Sequence, residues 1–190
     1  MPKKITVRNC LLLTVLIVLL ISGYYSYVNL PRKLTHYQGL ELGMAASEVI
    51  YRKGMPSGVY GKEEMITINN TPVAARLDIS SVDIPKDSTV QSYQGWFFED
   101  DKRYRLDVDF DVPNGHIIEI GCYSTTESGC EMVNKLGIDS TEIEIKKRLG
   151  KPSKEFIEGT VKFIEYKKYN IKFCLEKEKV YYIVVRQLDN

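Results

Sequence analysis

The chain has 190 residues, 44% hydrophobic and 27% charged, which excludes a disordered chain, a collagen and a multi-pass membrane protein. Lys plus Arg total 26 against 25 Asp plus Glu, so no basic surplus points to nucleic acid as a partner. Four Cys are too few for a disulfide framework, and two His make a His-based metal site or triad hard to assemble.

At the amino end, Lys3, Lys4 and Arg8 precede an uncharged run from Asn9 to Pro31, closed by Arg32. As a helix this run would be about 34 Å long, against about 30 Å of bilayer hydrocarbon. Its centre, Cys10 to Ile21, is almost wholly apolar, and Tyr24, Tyr25 and Tyr27 follow where an aromatic belt would sit. The reading is a membrane anchor over residues 1–31 that meets the bilayer through 9–31. Cleavage is left open, although bulky Tyr24 and Tyr25 after Ser22-Gly23 suit an uncleaved signal-anchor better. No Cys follows the apolar run as a lipoprotein acceptor. Lys3, Lys4 and Arg8 outweigh Arg32 and Lys33, which favours the amino end in the cytoplasm. The expectation is a single-pass protein of the inner (cytoplasmic) membrane, with the remainder periplasmic or extracellular. Three of the 26 basic residues lie in the anchor, so the remainder carries a charge of about −2 and would not hold an anionic membrane surface by charge alone.

Beyond the anchor the chain repeats itself. Leu42 to Ser57 and Gly137 to Ser153 align so that Gly54 meets Gly150, Pro56 meets Pro152 and Ser57 meets Ser153. Each segment reads as a short helix with a hard stop, glycine followed by proline. With Thr141 as the cap, Glu144 completes a capping box, and Ile145 and Leu149 share a face. The first copy has Ala45 where the second has Thr141. Strand patterns follow each helix. In the first copy they cover Trp96 to Phe98, Tyr104 to Phe110 and Ile117 to Ile120, with a turn at Pro113-Asn114-Gly115. In the second they cover Val161 to Tyr166, Ile171 to Leu175 and Val180 to Val185. Each copy thus predicts a helix followed by a three-strand meander. An insertion, 60–94, separates helix from meander in the first copy. It predicts one short strand at Met65 to Ile68 and otherwise loop, with Pro72 and Pro85 inside it.

Leu42-Gly43-Met44, the short helix, Gly54-x-Pro56 and the meander, then Gly150-x-Pro152, resemble the BamE (SmpA/OmlA) family. Two copies in tandem resemble the β-lactamase inhibitory protein arrangement. The resemblance implies an α+β fold of two helix-plus-antiparallel-meander repeats, at 37–124 and 131–188, which follow the transmembrane helix read above from the apolar run. It also implies scaffolding or inhibition by protein contact, and the motif residues are fold-determining rather than catalytic. The missing lipobox Cys departs from the family.

Cys122 and Cys130 enclose the loop YSTTESG. Two readings stand: a disulfide in an oxidising compartment, or two free thiols. No zinc motif completes around them. Asp107-x-Asp109-x-Asp111 lacks the Gly and Glu of a calcium loop and reads as the solvent face of a strand. Glu99, Asp100 and Asp101 beside Lys102, Arg103 and Arg105 read as a solvated hairpin end. His36 and His116 have no nearby nucleophile in a recognisable frame. No phosphate loop or nucleophile elbow occurs, and no cofactor or metal is called for.

Thirteen Tyr, six Phe and one Trp are a large aromatic load. Trp96, Phe98, Tyr166 and Tyr182 are the candidates for an exposed sheet face that binds a partner. The expected function is a non-enzymatic, membrane-anchored bacterial envelope module that contacts an unidentified envelope protein as a scaffold or assembly factor. The alternatives are a sensor of a peptide or cell-wall fragment through 60–94, and an inhibitor of a secreted enzyme. Oligomeric state is left open.

Overall fold

The computed structural model describes residues 7–28, 30–68, 71–84, 88–100, 104–111, 115–126 and 129–188, with backbone alone for 7–12, 25–26, 28 and 62–77. Lys3 and Lys4, Pro85, Asp101 to Arg103 and Pro113-Asn114, all used above, lie outside the described residues. The chain forms two compact units, Met1–Arg32 and Lys33–Asn190.

The first unit holds helix α1, Val7–Val28. Among the described residues, no helix is long and apolar enough to cross a membrane. The expected transmembrane signal-anchor is corrected accordingly. The single-pass inner-membrane location and the periplasmic or extracellular placement of the remainder fall with it.

The second unit is dominated by one antiparallel sheet. A two-stranded hairpin, β1 (His36–Tyr37) and β2 (Leu40–Glu41), precedes helix α2, Ala46–Lys53. Strands β3 (Gly58–Ile68), β4 (Thr71–Ser80), β5 (Gly95–Asp100), β6 (Tyr104–Phe110) and β7 (Ile117–Ser124) follow. Then come helix α3, Glu142–Leu149, and strands β8 (Lys154–Glu158), β9 (Val161–Tyr166), β10 (Ile171–Glu176) and β11 (Lys179–Arg186). Nine of these strands pair in the order β4-β3-β5-β6-β7-β11-β10-β9-β8. The sheet therefore runs outward in both directions from the β7–β11 pair, and β4 and β8 are its edges. The expected fold class is corrected to this nine-stranded antiparallel sheet with three helices among the described residues, none of which spans a membrane.

The helices end and begin as their local chemistry requires. Glu144 donates its backbone N–H to Thr141 Oγ1 at 3.3 Å, and Glu144 Oε2 accepts from the Thr141 backbone at 2.8 Å. This reciprocal box satisfies two amides that α3 leaves open. Ala45 caps α2 without any side-chain bond. Gly54 and Gly150 both sit at φ +81°, where a Cβ would be strained, and so close the two helices. Four basic and acidic side chains fasten α3 to the sheet. Lys146 bonds Glu142 at 2.7 Å and Glu155 of β8 at 3.0 Å, and Lys162 of β9 bonds Glu142 at 2.6 Å. These bonds hold the Glu142 and Glu155 carboxyls below their usual range.

Two differences from the expected strands have physical reasons. The insertion 60–94 is not mainly loop, because β3 runs on to Ile68 and returns as β4. Pro72 is accommodated because β4 is an edge strand, where a missing N–H costs no ladder bond. The short strand expected at Met65 to Ile68 is the far end of β3, and the strands not expected are β4 in one half and β8 in the other. The β8 sequence KEFIE is charged and mostly exposed, so it lacks the β-branched density that marks a strand.

One face of the sheet carries the core. Val59, Trp96, Leu106, Val108, Phe110, Ile120, Cys122, Ile164, Tyr166, Phe173, Ile183 and Val185 point there and form one cluster. Val49 of α2 and Ile145 and Leu149 of α3 join the same cluster, so both helices cover this face. Cys122 and Cys130 are joined by a disulfide, which ties the end of β7 to the segment leading to α3.

Candidate functional site

Strand register sorts the aromatic residues between the two faces. Trp96 opposes Val108, Phe98 opposes Leu106 and Tyr166 opposes Ile171, all on the helix side. Trp96 is fully buried, meets the Phe110 ring at a tilt with centroids 4.5 Å apart and donates its indole N–H to the Val90 carbonyl at 2.7 Å. Tyr166 is 2% exposed, and its hydroxyl donates to the Gly150 carbonyl at 3.0 Å. Burial lifts the Tyr166 phenol to about 12. Phe98 packs partly buried against the core. Trp96, Phe98 and Tyr166 thus build the core, and Tyr182 alone of the four candidates reaches the helix-free face.

That face is organised around Asp107. Paired strands place Tyr60 (β3), Phe97 (β5), Arg105 and Asp107 (β6), Tyr123 (β7) and Tyr182 (β11) on it. Asp107 accepts from three neighbours on three strands. The Tyr60 hydroxyl donates to Oδ1 in a short bond, Arg105 Nε donates to Oδ1 at 2.9 Å, and the Tyr182 hydroxyl donates to Oδ2 at 2.8 Å. Arg105 also binds Asp78 of β4 at 2.7 Å and Glu99 of β5 at 3.0 Å. Its guanidinium lies over the Phe97 ring, 4.2 Å from the centroid. With side chains 21% and 16% exposed, Arg105 and Asp107 are well shielded. Such charges persist only when fully paired, as these are.

The electrostatics keep the network in one protonation state. Burial, then the neighbouring Asp107 charge, push the Tyr60 and Tyr182 phenols far above their ordinary value. Both therefore stay hydrogen-bond donors at any physiological pH. Burial works against the Arg105 charge, but hydrogen bonds to Asp78 and Asp107 outweigh it and raise its pKa. Gly121 opposes Asp107, and a Cβ there would overlap the Tyr182 hydroxyl. Glycine at 121 is what lets Tyr182 lie flat and reach the carboxylate.

Aromatic rings continue from this network to the far edge. Tyr123 and Tyr181 meet edge-on at 6.4 Å, and Phe163 and Phe156 stack at 4.8 Å. Tyr123, Tyr181, Tyr182, Phe163 and Phe156 are all half-buried. Cys174, paired with Tyr182 and Phe163, is a buried free thiol that burial pushes up to about 12.

The other sequence candidates fall elsewhere. His36 accepts or donates at Thr35 Oγ1 (2.9 Å) and reaches Glu41 at 3.0 Å, with all three on the surface. His116 lines an open cleft of about 810 Å³ beside Asp109, Glu119 and Arg186. There Arg186 is bonded to Glu119 at 3.1 Å, and Asp111 accepts the His116 backbone N–H at 2.7 Å. Among the described residues, no group of three or more His, Cys, Asp or Glu is placed to hold a metal ion.

Sequence reasoning missed Tyr60, Phe97, Arg105 and Asp107. The alternation of Leu106, Val108 and Phe110 with Arg105, Asp107 and Asp109 did mark a two-faced strand. Nothing local shows that Tyr60 and Tyr182, 47 and 75 residues away, converge on Asp107.

No protein-family model matches the chain, and no curated protein matches it. Among solved structures it is similar to a DUF4309 family protein (YjgB) from Bacillus subtilis subsp. subtilis str. 168, which is not a BamE family member. The identity is 12% and the TM-score 0.47, over 78% of this chain and 82% of that one.

Proposed function

We propose that the Lys33–Asn190 unit is a non-catalytic binding module that receives another protein on the helix-free face of its sheet, around Tyr123, Tyr181 and Tyr182. The row of half-buried tyrosines beside the Asp107 network is the observation that supports this reading. Tyrosine rings present a large rigid surface with a polar tip, and they are enriched where proteins bind one another. The network holds the Tyr182 ring in place before any partner arrives, which lowers the ordering cost of association. Asp107, bonded to the Tyr182 hydroxyl, is already engaged by three donors. It is better suited to holding shape than to moving protons.

The test is co-purification from the native cells with a Tyr123→Ala, Tyr181→Ala double variant. Loss of a hot-spot residue costs ~2 kcal/mol or more, so partner recovery should fall about thirtyfold. Both rings are only partly buried, so the variant should stay folded, with a cooperative melt that separates lost binding from lost structure. Undiminished recovery of the partner would refute this placement of the interface.

A further inference from the structure

The edge strand β8 pairs with β9 on one side only. Its five residues, Lys154, Glu155, Phe156, Ile157 and Glu158, are mostly exposed. Ile157 is 69% exposed, which is unusual for an isoleucine in a sheet. Natural edges are normally blunted against pairing. Here the charges are arranged so that one particular pairing is favoured.

We infer that β8 is a self-association edge, which pairs antiparallel with β8 of a second copy about a two-fold axis through Phe156. In this register Lys154 stands directly opposite Glu158 of the second copy, and Glu158 opposite its Lys154. Both residues lie on the helix-free face with Phe156, since register sets Lys154 against Glu165 and Phe156 against Phe163. Phe156 already stacks on Phe163, so the pairing brings two Phe156 rings together between two Phe163 rings. On the helix side Glu155 meets Ile157 of the second copy. Glu155 does not bring a bare charge to that contact, because Lys146 and Lys162 hold it at 3.0 and 3.3 Å.

Other registers are poorer. Parallel in-register pairing sets Lys154 against Lys154 and both glutamates against themselves, and like charges directly opposite are destabilising. An antiparallel slip one way sets Glu155 against Glu155. The slip the other way leaves Lys154 without a partner and sets Glu158 against Phe156. A one-residue shift would also exchange the two faces. The centred pairing alone matches both charge pairs, and it joins two nine-stranded sheets into one.

Sedimentation velocity of the full chain over a wide concentration range tests this. Wild type should show a concentration-dependent dimer. Lys154→Glu and Glu158→Lys each turn both cross-strand pairs into like-charge pairs and should weaken dimerisation about tenfold or more. Mixing the two variants restores opposite charges, so a heterodimer should form with close to wild-type strength. That outcome also shows that both variants fold. The inference is overturned if wild type stays monomeric throughout. It is equally overturned if either variant dimerises like wild type, or if the mixture associates no better than the variants alone.

Discussion

Tyr182→Phe removes a single hydroxyl from the sheet face and leaves its ring in place. The lost bond is the 2.8 Å donation to Asp107 Oδ2. Its acceptor is an ionised carboxylate, and bonds to charged groups contribute about 1.5–3 kcal/mol each. Asp107 keeps Tyr60 and Arg105 on Oδ1, so its charge is still compensated and the loss should fall within that range rather than beyond it. For a domain of this size, that is a fall of about 3–12 °C in Tm. Urea denaturation should show a lower midpoint with an unchanged slope, since the exposed surface on unfolding is the same. Pairing the substitution with Asp107→Asn in a double-mutant cycle should give a coupling of about 1 kcal/mol or more. A Tyr182→Phe loss below about 0.5 kcal/mol, or strict additivity with Asp107→Asn, would refute the view that this network sets the face.

Further outcomes follow from the packing, the helix caps and the charges. Trp96→Ala should cost about 3–5 kcal/mol, measured by chemical denaturation, because it opens a cavity beside Phe110 and orphans the Val90 carbonyl. Thr141→Ala should cost about 1 kcal/mol, while Ala45→Ser should gain a comparable amount by supplying the cap that α2 lacks; both are read from thermal melts. The depressed carboxyls of Glu142 and Glu155 add stability above their ordinary range, and that stability disappears as pH falls through their lowered values. Between pH 7 and strongly acidic buffer, Glu142→Gln should therefore lose less stability than wild type in parallel denaturation curves.

Much of the local architecture can be read from the chain itself. Thr141 with Glu144, and the glycine–proline exits at Gly54 and Gly150, mark both helices because caps depend on neighbours within a few residues. The alternating 104–110 segment likewise announces a strand with two unlike faces. Which face a residue such as Trp96 occupies is a different matter. Trp96, Phe97 and Phe98 are all large and apolar, so their pattern has no phase, and only pairing with Val108, Asp107 and Leu106 sorts them. Arg105 looks from sequence like one more charge at a hairpin end. Burial against Phe97 and bonds to Asp78, Glu99 and Asp107 turn it into the centre of a network. The apolar amino-terminal run shows the limit from the other side, since hydropathy suggests a span, whereas among the described residues no helix is long and apolar enough to cross a membrane. Edge strand β8 is hidden for a related reason, because an edge needs little apolar content.

Photocrosslinking from single engineered positions tests most directly where a partner sits. A photoreactive side chain at Tyr123 or Tyr181 should give a discrete protein adduct in cells, and the same group at Lys147, exposed on α3, should give none. An adduct from Lys147 with none from Tyr123 or Tyr181 would contradict the assignment of the sheet face as the binding surface.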